Sequence, residues 1–156
     1  MATFSSDLIT NLARRPLVYP ETAGAVVAQK STATVAVTHA ANDIIKLGVL
    51  PAGCAIVDCK LVTAELDTNA SATLAYDCGI LNSTADGLVT NTKLVSAGGM
   101  EVAKVQGINT AEGMVHIGVD DDDDRTVAIK ITTVAATKAA GDVTCILTYR
   151  LASYGA

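Results

Sequence analysis

The residues able to do chemistry in this 156-residue chain are few and far apart. Five consecutive carboxylates, Asp120 to Asp124, precede Arg125. A calcium loop needs oxygen ligands at alternating positions around a turn-forming glycine, and the run has neither the alternation nor the glycine. Adjacent like charges repel and stay hydrated, so the run predicts an exposed loop, with Arg125 offsetting part of the repulsion. His39 and His116 are the only histidines, and neither stands at ligand spacing from a Cys or Glu. Cys54, Cys59, Cys78 and Cys145 form no CxxC pair and no zinc spacing. Cys59, Cys78 and Cys145 share the parity of apolar neighbours, which predicts small buried hydrophobes with free thiols. A Cys59–Cys78 bridge is conceivable, but without a secretory signal a reducing cytosol argues against it. No nucleophile elbow, HExxH, P-loop or dinucleotide fingerprint is present. The expectation is a protein that is not an enzyme and takes no cofactor and no metal.

Composition points the same way. Hydrophobic residues make up 50% of the chain, aromatic residues 3% and Trp none. The core must therefore be Val, Ile, Leu and Ala, side chains that suit closely stacked sheets. One domain of this length buries roughly 68–70% of the surface its unfolded chain exposes, so no metal or disulfide is needed for folding. Only 17% of residues are charged, against roughly 25% in an average domain. That sparseness suggests a surface that largely meets other protein. A net charge of −5 and scattered basic residues argue against nucleic acid as a partner. No apolar run approaches a membrane span, so no membrane partner is expected and the chain reads as soluble. Asp7 falls early and Pro16 follows Arg14-Arg15, so neither a secretory nor a twin-arginine signal is expected.

The elements that would carry these residues are strands. The stretch Asn42 to Leu81 organises the rest. Leu74, Tyr76, Cys78 and Ile80 alternate with Thr73, Ala75, Asp77 and Gly79, the period-two pattern of a half-buried strand. In Cys54–Leu66 the apolar parity switches from Ala55, Val57, Cys59 and Leu61 to Val62, Ala64 and Leu66, which predicts a β-bulge near Leu61. The polar connection Asp67 to Ser71 predicts a hairpin between the two. Further strands are expected at Thr32–Thr38, Asp43–Gly48, Met100–Gly107, Met114–Val119, Thr126–Thr133 and Val143–Leu151. With Cys54–Leu66 and Ala72–Leu81 the count is eight, that of a jelly roll. Asn82 to Gly99 is expected to be a surface loop with one helical turn. Gly53, Gly98-Gly99 and Gly141 mark turns. The fold class is all-β, a single antiparallel, jelly-roll-like β-sandwich over residues 31–156.

Residues 1–30 read as an N-terminal arm. Ser5-Ser6-Asp7 can cap a short helix carrying Leu8, Ile9 and Leu12 and ending before Pro16. Leu8, Leu12, Arg14, Arg15 and Tyr19 are its candidate protein-interaction residues. The arm has more apolar content than a solvated tail carries.

Two stretches carry a resemblance: LPAGCAIVDCKLVTAELDTNASATLAYDCGIL, and DDRTVAIKITTVAATKAAGDVTCILTYR. Together they resemble the small head accessory proteins of tailed bacteriophages, the decoration or cement proteins that sit on the capsid shell. The resemblance covers roughly residues 44–150. It implies a β-rich, homotrimeric module made in the host cytoplasm that binds the major capsid protein where capsomers meet, on the outside of the virion. No catalytic or ligand residue is carried over. A phage tail or tail-fibre subunit is the nearest alternative. A carbohydrate-binding jelly roll would need exposed aromatic platforms, and Tyr76 and Tyr149 read as buried. A metal-dependent enzyme would need Asp120–Asp124 to converge with a histidine.

Overall fold

The computed structural model describes residues 2–10, 25–100, 103–111 and 123–151. Alternating Val, Ile and Leu build nine strands in the described residues. These are β1 (Thr3–Ser5), β2 (Val27–Val35), β3 (Ile44–Leu50), β4 (Cys54–Thr63), β5 (Ala75–Ile80), β6 (Val95–Gly99), β7 (Lys104–Gln106), β8 (Arg125–Thr133) and β9 (Gly141–Leu151). One sheet has the order β2-β9-β4-β7, the other β1-β3-β8-β5-β6. With β1 set aside, each sheet has four strands, and the chain crosses between sheets at every connection except β5 to β6. That is the strand order of a jelly roll. Only β1 is parallel to its neighbour, β3. The helix α1 (Asp7–Thr10) is one turn long.

The core lies between the sheets. Ile45, Leu47, Leu50, Tyr76, Ile129 and Ile131 from one sheet meet Leu61, Val143, Leu147 and Tyr149 from the other. Each fully buried Leu or Ile contributes roughly 1.5–3 kcal/mol. Tyr76 and Tyr149 are buried, as their parity requires. Their size compensates for the scarcity of other aromatics.

Several expectations change. β4 and β5 are not a hairpin, because they belong to different sheets and the Asp67 connection crosses between them. The predicted bulge exists, but its register shift against β9 falls between Ile56 and Asp58. Val57 is the extra residue and is turned outward, and Cys59, Leu61 and Thr63 then share the buried parity. A second shift in β3, between Lys46 and Gly48, was not foreseen. β2 starts at Val27, five residues before the expected Thr32, so Val27–Lys30 pair with β9. The stretch assigned wholly to loop ends in β6, and Met100–Gly107 shrinks to β7. The predicted strand Met114–Val119 lies outside the described residues.

Register fixes which loops share an end. Val35 pairs with Gly141, Thr63 with Val143 and Ala75 with Thr133. The connections 36–43, 64–74 and 134–140 therefore cluster at one pole, and 51–53 and 81–94 at the other. The 81–94 connection lies flat over the outer face of β5. A Cβ built on Gly79 would stand 2.7 Å from the Thr92 carbonyl oxygen, so only glycine admits that approach.

Candidate interaction surfaces

The chemistry-bearing residues do not converge. Asp123 and Asp124 border an open cleft of about 450 Å³ beside Asn82 and Ser83. Asp124 Oδ1 accepts the Ala52 N–H at 2.9 Å. Arg125 donates to the Cys54 carbonyl at 2.8 Å. Asp120 to Asp122 and His116 lie outside the described residues. His39 is fully buried in the 36–43 loop, with Nδ1 3.0 Å from the Ala36 carbonyl. A carbonyl only accepts, so Nδ1 carries the proton, and Nε2 is enclosed without a partner. No described group of three His, Cys, Asp or Glu residues could hold a metal ion.

All four cysteines are buried free thiols. Cys59 and Cys145 lie in one sheet with sulfurs 3.8 Å apart. Cys78 faces them from the other sheet, so the Cys59–Cys78 pair is a contact across the core, not between neighbouring strands. The hydrogen bond with Cys59, then burial, pushes Cys78 and Cys145 well above the usual thiol range. The hydrogen bonds with Cys145 and Cys78 hold Cys59 well below that range, but it is shielded by the same burial, so all three are packing groups out of reach of solvent reagents.

Among the described residues the carboxylate accepting the most main-chain hydrogen bonds is Asp67, which has no exposed surface. Its Oδ2 accepts the N–H groups of Thr73 at 2.8 Å, Leu74 at 3.1 Å and Ala136 at 2.9 Å, and its Oδ1 that of Thr137 at 2.9 Å. Desolvation pushes this carboxyl up, but the backbone donors outweigh it and hold it well below the usual range. It locks the 64–74 loop to the 134–140 loop. Sequence reading took it for an ordinary turn residue, since its partners lie up to 70 positions away.

Several valines are exposed. Val105 on β7 is 65% exposed and pairs across the strands with the exposed Val62 of β4. Val37 and Val134 are exposed in the loops that Asp67 locks or adjoins. Aliphatic side chains standing singly in water are ordinary; a cross-strand pair on an edge strand is a protein-contact feature.

Part of the N-terminal segment is seated on the sandwich. Phe4 pairs with Ile45 and Ser5 with Lys46 along the β3 edge. Ser6 is buried, donates its hydroxyl to the Leu47 carbonyl and accepts the Ile9 N–H at 3.3 Å, capping α1 as expected. Asp7 Oδ1 accepts the Thr32 N–H of β2 at 2.8 Å. Leu8 falls within α1, while Leu12, Arg14, Arg15 and Tyr19 lie outside the described residues. No described helix is long and apolar enough to cross a membrane.

No protein-family profile matches the chain. No curated protein matches it either. Solved structures do. A chain in the capsid of Ralstonia phage GP4 is similar over 97% of this chain and 99% of its own length, with 28% identity and a TM-score of 0.83. A chain in the capsid asymmetric unit of cyanophage Pam1 is similar over 89% of this chain and 95% of its own, with 26% identity and a TM-score of 0.57. These two likenesses support a phage capsid-related protein with a structural, non-enzymatic part in the virion.

Proposed function

We propose that this chain decorates the outside of a phage capsid shell, binding the major capsid protein where capsomers meet and stiffening the particle as a homotrimer. The observation that carries the reading is the end-to-end likeness to a phage capsid chain, 97% of one against 99% of the other. The physical fit is consistent. A net charge of −5 disfavours packaged DNA, and few charges with small apolar side chains suit burial between protein surfaces. The loops pinned by Asp67 offer a rigid contact surface whose ordering cost is already met in the free protein. Weak contacts repeated across a lattice add up to firm attachment.

The arm contributes Leu8, Leu12, Arg14, Arg15 and Tyr19 as anchors on a neighbouring subunit. Deleting residues 1–26, which leaves β2 whole, and measuring occupancy on purified particles tests the arm. Occupancy is expected to fall at least tenfold, and undiminished occupancy removes the arm from the reading. Particles formed without any of this protein test the whole proposal: they should assemble but burst at lower temperature.

A further inference from the structure

Residues 2–10 fill the seam between the two sheet edges. The Ala2 carbonyl accepts the Ile44 N–H at 3.1 Å, and Ser6 N–H donates to the Lys46 carbonyl at 2.7 Å. Ala2 N donates to Asp43 Oδ1 at 2.6 Å. Asp7 completes the closure on the β2 side. Remove this segment and the β3 edge shows a row of unpaired main-chain groups, together with the buried carboxylate of Asp43.

We propose that this seam is a strand-acceptor site exchanged between copies of the chain, so that in the assembled particle it holds residues 2–10 of a second copy. The proposal rests on the virion reading and names which groups its subunit contact uses. The first argument is stability. A three-residue strand and a one-turn helix do not persist apart from the edge they pair with. Their bonds are mostly main-chain, so a second copy offers the same donors and acceptors at no loss.

The second argument is length. Asp7 sits beside Thr32, five residues from the start of β2 at Val27, a separation of roughly 17 Å along a strand. The twenty residues from Asp7 to Val27 reach roughly 66–72 Å when extended. A domain of 156 residues has a radius of gyration of roughly 15 Å. Closure within one copy thus uses about a quarter of the available chain, and the remainder is long enough to cross to an adjacent copy. That surplus includes Leu12, Leu17, Val18 and Tyr19, with Pro16 and Pro20 disfavouring a helix that would shorten it. In dilute solution the tether favours a chain's own segment. On a lattice the neighbour's segment is present at a comparable effective concentration, so a neighbour competes for the seam on equal terms.

The test uses Ser5 and Lys46, register partners that are both at least partly exposed. Particles are assembled from an equal mixture of S5C and K46C copies of different mass, oxidised mildly, and run on a non-reducing gel; the native thiols are buried and do not compete. Exchange predicts a covalent pair containing one copy of each kind in the majority of incorporated subunits, and persistence of that band when residues 1–10 are deleted from the K46C copies alone, whose seams can then take only a neighbour's segment. A double variant, S5C with K46C, that closes only within its own chain, with no mixed pair from the single variants, overturns the exchange. In that case incorporation itself still stands or falls separately, because occupancy is read from the same particles.

Discussion

Asp67 and Ala136 are 69 residues apart in sequence, yet the carboxylate of one accepts the backbone N–H of the other at 2.9 Å in the interior of the loop pole. Thr73, Leu74 and Thr137 donate to the same carboxylate. A single side chain therefore does what strand pairing cannot do there, satisfying the N–H groups of two loops that each cross between the sheets. Asp67→Ala strands those donors in a place that water reaches poorly. Differential scanning calorimetry should show a melting temperature lower by roughly 10 °C, given a few degrees per kcal/mol in a domain of this size. An unchanged melting temperature would mean that the two loops are held by something else.

The same carboxylate sets a direction for pH. Its folded-state pKa lies below the unfolded value of about 3.9, so folding favours the ionised form. The stabilisation is complete above about pH 4 and is lost as pH falls through the folded value. The melting-temperature gap between wild type and Asp67→Asn should stay constant from about pH 5 to 8 and narrow below about pH 4. A gap that widened on acidification would reverse the sign and discard this account.

Gly98 is a second point where one atom matters. A Cβ there would stand 2.5 Å from Cζ of the Tyr76 ring, which is fully buried and donates its hydroxyl to the Gln106 side chain. Gly98→Ala should cost about 1–3 kcal/mol, the usual range for overpacking. Combining it with Tyr76→Leu should cost less than the sum of the two single changes, because the clash disappears with the ring. Additive costs in urea melts would show that Gly98 is not held by the ring.

What could be read from sequence alone is the alternation within strands. Tyr76, Cys78, Val143, Cys145 and Tyr149 all turn inward as their parity predicts. Pairing was less legible. Cys54–Leu66 and Ala72–Leu81 look like a hairpin because a short polar connection serves equally to turn back within a sheet or to cross to another. The choice is made by Asp67 and its distant partners. Val57 as the bulge was hidden because an apolar residue on the outer face reads as a core position. β6 was missed because Val95–Gly99 is short and rich in small residues, and its glycine is demanded by Tyr76 rather than by a turn. The contact surface was less legible still. An aliphatic pair such as Val62 and Val105 becomes visible only when β4 and β7 are set side by side.

The buried thiols should be chemically silent in the folded state. Cys59, Cys78 and Cys145 meet in the core, and Cys54 is enclosed at the start of β4. The hydrogen bonds with Cys59, and then burial, hold Cys78 and Cys145 protonated, and the thiolate is the reactive form. Ellman's reagent should label none of the four within minutes at neutral pH and all four in guanidinium chloride. Rapid labelling of one native thiol would show that the core opens there.

Ser6 tests how the first ten residues are held. Its hydroxyl both donates to the Leu47 carbonyl and caps α1 at Ile9, so Ser6→Ala leaves a buried carbonyl and a helix N–H unpaired. The cost should be about 1–2 kcal/mol, near the usual value for a lost cap. It should also be local, because the sandwich core between the sheets makes no use of this hydroxyl. Amide exchange separates local from global loosening. The Ile44 N–H, bonded to the Ala2 carbonyl, and the Thr32 N–H, bonded to Asp7, should exchange roughly tenfold faster in the variant. The Ile131 N–H, bonded to the Asp43 carbonyl deeper in the same sheet, should keep its wild-type rate. If all three speed up together, the segment is integral to the cooperative fold and could not leave its seam without unfolding the domain.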